Sequence, residues 1–170
     1  MSELPLFLFY PGAYTDGVFE RTAAACVVCR QARGWGYASA HYGAAPPQHP
    51  CPWCVGDGRA AALADCALGA LNEVAGDTDE ALREEIANRT PAPLNWQDMT
   101  WPVHGGAPMI YEGRIDYQQV RDDPAQLAAL RAACADEKTM REWVSRDGDI
   151  NVMLFRSMDG AAFTGVFDAS

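Results

Sequence analysis

Apolar residues in this chain come in short bursts broken by Gly and Pro, a pattern that predicts many small elements rather than a few long ones. Alternation over residues 6–10 (Leu-Phe-Leu-Phe-Tyr) predicts a first strand, followed by a turn over 12–17. Trp35-Gly36-Tyr37 alternates in the same way and predicts a short strand. Helical spacing begins later: Leu63, Cys66, Ala67 and Ala70 share one face of a helix expected over 58–71 with Asp57 as its cap. A second helix is expected from Thr78, its first turn carrying Asp79 and Glu80, to a stop at Thr90-Pro91. Pro91 and Pro93 then force a loop, and an irregular segment flanked by Trp96 and Trp101 runs through Pro108 to a strand at Met109-Ile110-Tyr111. Asp122-Asp123-Pro124 opens a helix over Leu127, Leu130 and Cys134, with a further short helix over 137–144. The tail alternates over 150–155 and 162–167 around Met158-Asp159-Gly160, the strongest hairpin signal present.

Four cysteines change this picture. Cys26-Val-Val-Cys29 and Cys51-Pro-Trp-Cys54 form two Cys-x-x-Cys pairs, and thiolates at such spacing can close a tetrahedron around one Zn²⁺. A thiol oxidoreductase would need a buried strand leading into the pair, whereas Gly-Ala-Ala-Pro-Pro-Gln-His-Pro leads into Cys51. Pro50-Cys51-Pro52-Trp53-Cys54 matches half of a zinc deaminase signature, but no His or Cys stands two residues before a Glu. Four sulfur ligands leave no position for water, so the expected site is structural, and no nucleotide-binding, nucleophile-elbow or zinc-protease motif accompanies it. The expectation is a non-enzyme. Cys66 and Cys134, each alone in an Ala-rich helical pattern, are read as core. The fold class expected is α+β: a zinc-ribbon-like module over 1–68 packed on a small helical and β-hairpin portion over 69–170, the two forming one compact unit. At 170 residues the chain can bury about 70% of its unfolded surface, enough for such a unit.

Charge sharpens the division. The net charge is −10; residues 1–68 carry four Arg against five acids, and residues 69–170 carry nine Lys and Arg against eighteen. The densest acidic run comprises Glu73, Asp77, Asp79, Glu80, Glu84 and Glu85, interrupted by Arg83 alone. Such a surface repels phosphate, so direct nucleic-acid binding is not expected, while a basic protein partner is. Acidic helices also serve simply as solvated faces, and that alternative stays open. Asp122, Asp123, Asp136 and Glu137 form a second group, with Trp96 or Trp101 as candidate exposed anchors. No run approaches the length of a membrane span. An acidic lead, Pro5 and a short apolar run do not fit a secretory signal, so a cytoplasmic location with reduced thiols is expected.

The order of these motifs resembles the CbrC family of bacterial proteins. Leu4-Pro5, residues 15–20, Cys26-x-x-Cys29, Gln31-Ala32-Arg33-Gly34, Cys51-Pro52-Trp53-Cys54 with Asp57-Gly58, Arg89-Thr90-Pro91, Trp96-Gln97, Trp101-x-x-His104 and Leu154-Phe155-Arg156 carry the resemblance. It implies a cytoplasmic protein linked to tolerance of nuclease colicins, a relative of immunity proteins encoded beside secreted toxins, and hence protection rather than catalysis. A regulatory zinc-ribbon adaptor for another cytoplasmic protein is the alternative. Where the family carries further cysteines this chain has Gly105, Met109, Ser157 and Gly160. Their joint absence implies one zinc per chain, with Met109, Phe155, Phe163 and Phe167 filling the space and His104 left as a hydrogen-bonding structural residue.

Overall fold

A computed structural model describes residues 3–38, 49–62, 71–95 and 99–169, with 71–73 described by their backbone alone. The architecture is mixed α+β. The tail hairpin forms as its alternation predicts: β8 (Ile150–Arg156) and β9 (Phe163–Ala169) pair antiparallel, and β7 (Ile110–Ile115) adds on the other side of β8. Central in this sheet, β8 is buried on both faces, which is why Val152-Met153-Leu154-Phe155 reads as a continuous apolar run. Met153 and Phe155 face one core with Phe7, Phe9, Tyr10, Phe19, Tyr37 and Trp101. Val152 and Leu154 face a second core with Leu130, Met140 and Val120.

Helices α3 (Tyr117–Val120) and α4 (Pro124–Ala133) contribute to this second core. The Asp123 carboxylate caps α4 by accepting from the Ala125 and Gln126 amides, with Pro124 at the first helical position. Gly165 permits the close crossing of α4 over β9. A Cβ there would sit 2.6 Å from the Ala129 carbonyl oxygen and 3.0 Å from the Ala133 Cβ. Gly165→Ala is therefore expected to lower stability by about 1–3 kcal/mol, read as a reduced Tm, because the obstacle is helix backbone that cannot swing aside. The helix expected over 137–144 forms as a π-helical turn, Thr139–Trp143.

Nearer the N-terminus the structure departs from several expectations. Residues 6–10 keep their alternation, with Phe7 and Phe9 buried and Leu6 and Leu8 exposed, yet they form no strand. The Tyr10 amide turns back to the Phe7 carbonyl, and one ladder-like bond, Tyr111 N–H to Phe9 O, ties the segment to β7. The short strand at Trp35-Gly36-Tyr37 does form: β2 (Trp35–Tyr37) pairs antiparallel with β1 (Phe19–Arg21). Asp57 ends a helix rather than starting one. Helix α1 (Pro52–Gly56) is capped at its C-terminus by Asp57, and Gly58 follows in the left-handed region at φ +79°. The Asp57 carboxylate bonds forward to the Arg59 amide and guanidinium, and residues 58–62 are turns, not helix. Residues 63–70, with Cys66, lie outside the described residues.

Beyond them β3 (Leu71–Val74) pairs parallel with β4 (Met99–Trp101), joined through α2 (Glu80–Arg89). Asp79, one residue after the expected start, caps α2 by accepting from the Ala81 amide at 2.9 Å. The segment expected to be irregular contains a two-residue hairpin, β5 (Val103–His104) to β6 (Ala107–Pro108), across Gly105-Gly106. Both glycines have positive φ, 61° and 81°, as a type I′ turn requires. Among the described residues no helix is long and apolar enough to cross a membrane.

Candidate metal centre

The two Cys-x-x-Cys pairs arrive from different elements. After β1 the chain makes a knuckle in which the Cys26 amide donates to the Gln31 carbonyl (3.0 Å) and the Arg30 amide to the Cys26 carbonyl (2.8 Å). Arg30 pays for this tight return with φ +60°, a left-handed conformation uncommon for a residue with a Cβ. The second pair sits at the start of α1, where Cys51 is the N-cap, Pro52 the first helical residue, and Cys54 and Val55 donate their amides to the Cys51 carbonyl. Gly36 lets the two approach. A Cβ there would lie 2.9 Å from Thr22 Cγ2 and 3.0 Å from His49 Cβ, so only glycine allows 49–51 to run beside β2, where Tyr37 N–H bonds Pro50 O.

The four Sγ atoms all lie within 4.8 Å of one another, with Cys29 and Cys51 3.8 Å apart. Cys26, Cys51 and Cys54 are buried, Cys29 is half-buried, and all four are free thiols. Backbone amides point at the sulfur of Cys26: Val28 N–H at 3.4 Å and Cys51 N–H at 3.2 Å. Burial pushes the Cys26 thiol up, but the amides of Cys29, Cys51 and Val28 outweigh it and hold the thiol down at about 7. Burial pushes Cys51 up to about 11, and Cys54 is likewise raised. The Arg59 guanidinium is anchored by the Asp57 carboxylate at 2.7 Å. Arg33 stacks over the Trp53 ring, 5.0 Å from its centroid.

These four residues can hold a metal ion, and the all-sulfur donor set is consistent with zinc. At neutral pH the Cys51 and Cys54 protons must leave as metal enters. Affinity is therefore expected to strengthen by at least about a hundredfold per pH unit, since these two protons at the least are displaced, and to be lost on acidification. Competition against a chromophoric chelator at two pH values measures this slope.

The acidic run is placed as follows. Asp77 lies in the turn before α2, and Asp79, Glu80 and Glu84 are exposed at its start and along it; Glu85 is half-exposed, and the side chain of Glu73, on β3, lies outside the described residues. Arg83 and Arg89 approach Glu80 and Glu85 only at 4.0 and 3.9 Å, and Asp77 and Glu84 have no ion-pair partner among the described residues. The second acidic group has local work instead: Asp123 caps α4, Asp136 accepts from the Thr139 amide and hydroxyl at the start of the π-helical turn, and Glu137 faces Arg131 and Arg141. Trp101 is not an exposed anchor. It is fully buried, because its indole N–H donates to the Met109 carbonyl (2.7 Å) and its ring meets Phe155 edge-on. Trp96 lies outside the described residues.

His104 is exposed on the β5–β6 turn rather than built into the interior, and the low pKa of Asp159 comes first from the Ser157 hydroxyl, which donates to its carboxylate at 2.6 Å. Ile110 pairs with Arg156, which brings Met109 alongside Ser157. Met109 and Phe155 are buried there, but Phe163 and Phe167 pair with Arg156 and Val152 on the other face of the sheet, and Phe167 is exposed. The positioning roles of Gly36, Arg30 and Arg59 escape a reading of spacing alone; a Gly between two aromatic residues was their one available signal.

Fold and site together define a mixed α+β protein with a four-cysteine centre able to hold a metal ion. The sequence matches the family described as "Uncharacterised protein family (UPF0167)" over residues 4–169, and the chain belongs to that family. It is similar to UPF0167 protein Mb2317 of Mycobacterium bovis and UPF0167 protein MT2352 of Mycobacterium tuberculosis, each 32% identical over 131 residues, covering 76% of this chain and 70% of the relative. UPF0167 protein PA1536 of Pseudomonas aeruginosa is 33% identical over 135 residues, covering 76% of this chain and 74% of the relative. These relatives are bacterial, as the motif resemblance implies, while the narrower CbrC name goes beyond the match. No solved structure matches the chain.

Proposed function

We propose that Cys26, Cys29, Cys51 and Cys54 hold one structural Zn²⁺ in a zinc-ribbon-like module, and that the chain is a non-catalytic, cytoplasmic immunity protein of CbrC type. On this reading it neutralises a basic, nucleic-acid-directed toxin through the acidic face of α2. Zinc is supported by geometry: Zn–S bonds of about 2.3 Å give tetrahedral edges of about 3.8 Å, and the Cys29–Cys51 separation is 3.8 Å. The ion supplies a cross-link between the two knuckles, while the Val28 and Cys51 amides orient the Cys26 thiolate.

The observation that carries the partner reading is the seating of the acidic helix. Helix α2 packs against α1, which begins at Cys51 and contains Cys54, so the metal centre stiffens the platform that presents Asp77, Asp79, Glu80 and Glu84 to solvent. Asp77 and Glu84, without an ion-pair partner among the described residues, keep their full field for a basic groove. The test is binding of the zinc-loaded protein to the purified product of the neighbouring gene at low and high salt. Binding is expected to weaken with salt, and the Asp77→Lys/Glu84→Lys double variant to lose at least about tenfold. Salt-insensitive binding, or none, contradicts the toxin reading. Capture of a different cytoplasmic protein through the same face favours the adaptor alternative.

A further inference from the structure

A cleft of about 220 Å³, with no cysteine in its walls, is built from four separate stretches of chain. Tyr10 and Asp16 come from the N-terminal turns, Tyr111 and Arg114 from β7, and Arg146 and Asp147 from the turn before β8. Leu94 closes the rim. Arg114 assembles it: its guanidinium donates to the Leu94 carbonyl (2.6 Å) and to the Arg146 carbonyl (3.4 Å), holding two loops at the cleft edge.

The floor is equally specific. A bulge interrupts β7 between Tyr111 and Gly113, and Gly113 takes φ +116° beneath the Asp16 carboxylate, where a Cβ would come within 4.0 Å of Oδ2. Tyr10 and Tyr111 meet edge-to-face at 4.7 Å, and both are buried. Burial, reinforced by the nearby Asp16 carboxylate, keeps both phenols protonated. At the mouth, Arg146 and Asp147 stand on a turn closed by Ser145 N–H to Ile150 O (3.0 Å). Both are exposed, and neither has an ion-pair partner among the described residues.

Two carboxylates and two guanidiniums thus face one cleft. A purely anionic ligand meets Asp16 and Asp147, and a purely cationic one meets Arg114 and Arg146, so each is penalised by a like charge. A ligand bearing both charges satisfies both pairs. We propose that this cleft binds a small zwitterion of the α-amino acid class, with Arg146 taking the carboxylate, Asp147 and Asp16 the ammonium, and Leu94 with the tyrosine rings the side chain. The site depends on neither the metal centre nor the toxin reading.

Isothermal titration of the full chain with each protein L-amino acid in turn tests this, together with the two charge-deleted analogues of the best binder, its decarboxylated amine and its deaminated acid. One or more amino acids are expected to bind saturably, and each analogue at least about tenfold more weakly. Arg146→Gln is expected to reduce amino-acid affinity towards that of the amine, while amine binding, relieved of a like charge, is undiminished or tighter. Asp147→Asn is expected to do the converse with the acid. Both side chains are exposed, and an unchanged Tm verifies that the variants fold. Absence of binding by every amino acid, meaning a water-filled cleft only, overturns the proposal. So do analogues that bind as tightly as the zwitterion, or variants that bind the amino acid undiminished.

Discussion

Cys51→Ser is expected to abolish stoichiometric metal binding and to destabilise the protein by several kcal/mol, with loss of ordered structure around β1, β2 and α1. The elements there are short, three residues each for β1 and β2 and five for α1; Phe19, Tyr37 and Val55 reach the larger core, but among the described residues the apolar cluster around the sulfurs is Cys26, Cys51 and Cys54 with Val28, Cys29 and Trp53. Metal-binding free energy on the order of 10 kcal/mol, coupled to folding, is what such a module needs. The serine also loses a ligand that sits at the helix N-cap, so the second knuckle is released with it. Urea unfolding followed by circular dichroism, with and without chelator, measures the effect, and chelation of the unsubstituted protein should reproduce it. Cys134→Ser is the control. Cys134 is half-buried at the end of α4, so its substitution should cost less than about 1 kcal/mol and leave metal content intact.

Trp101→Ala is expected to cost about 3–5 kcal/mol while leaving the metal in place. The indole is wholly buried in the larger core, stacked edge-on against Phe155 at 5.3 Å. Trp101→Phe keeps most of the packing but strands the Met109 carbonyl that accepts the indole N–H, and about 1–3 kcal/mol is expected for that group alone. Denaturant midpoints of the two variants separate packing from hydrogen bonding. If neither shifted, the burial of Trp101 would be wrong.

The cysteine quartet was legible because metal ligation fixes residue type and spacing at once: two Cys-x-x-Cys pairs can be matched to a tetrahedral shell without knowing the fold. The tail hairpin and α4 were legible for a related reason. Alternation around Met158-Asp159-Gly160 and the Asp123-Pro124 start are local signals that the described tertiary structure leaves in force. Asp57-Gly58 was misread because Asp caps helix starts by its side chain, yet the left-handed freedom of Gly58 ends the helix that Pro52 had already begun. Residues 6–10 alternate correctly but among the described residues make only the Tyr111 N–H to Phe9 O bond of a ladder, since strand formation depends on a partner that no local pattern reveals. The missed β5–β6 hairpin did have a signal, Gly105-Gly106, hidden by the Pro residues around it. The zwitterionic cleft had none: its groups are spread from Tyr10 to Asp147 and converge only through the Arg114 clamp.

Elemental analysis of the protein purified under reducing conditions, paired with thiol counting, bears most directly on the metal centre. One zinc per chain is expected, falling to none in Cys51→Ser, with Cys26, Cys29, Cys51 and Cys54 protected from alkylation until chelator is added. A fully folded protein that carries no metal, or two equivalents, or that holds these four sulfurs in disulfides, contradicts the account.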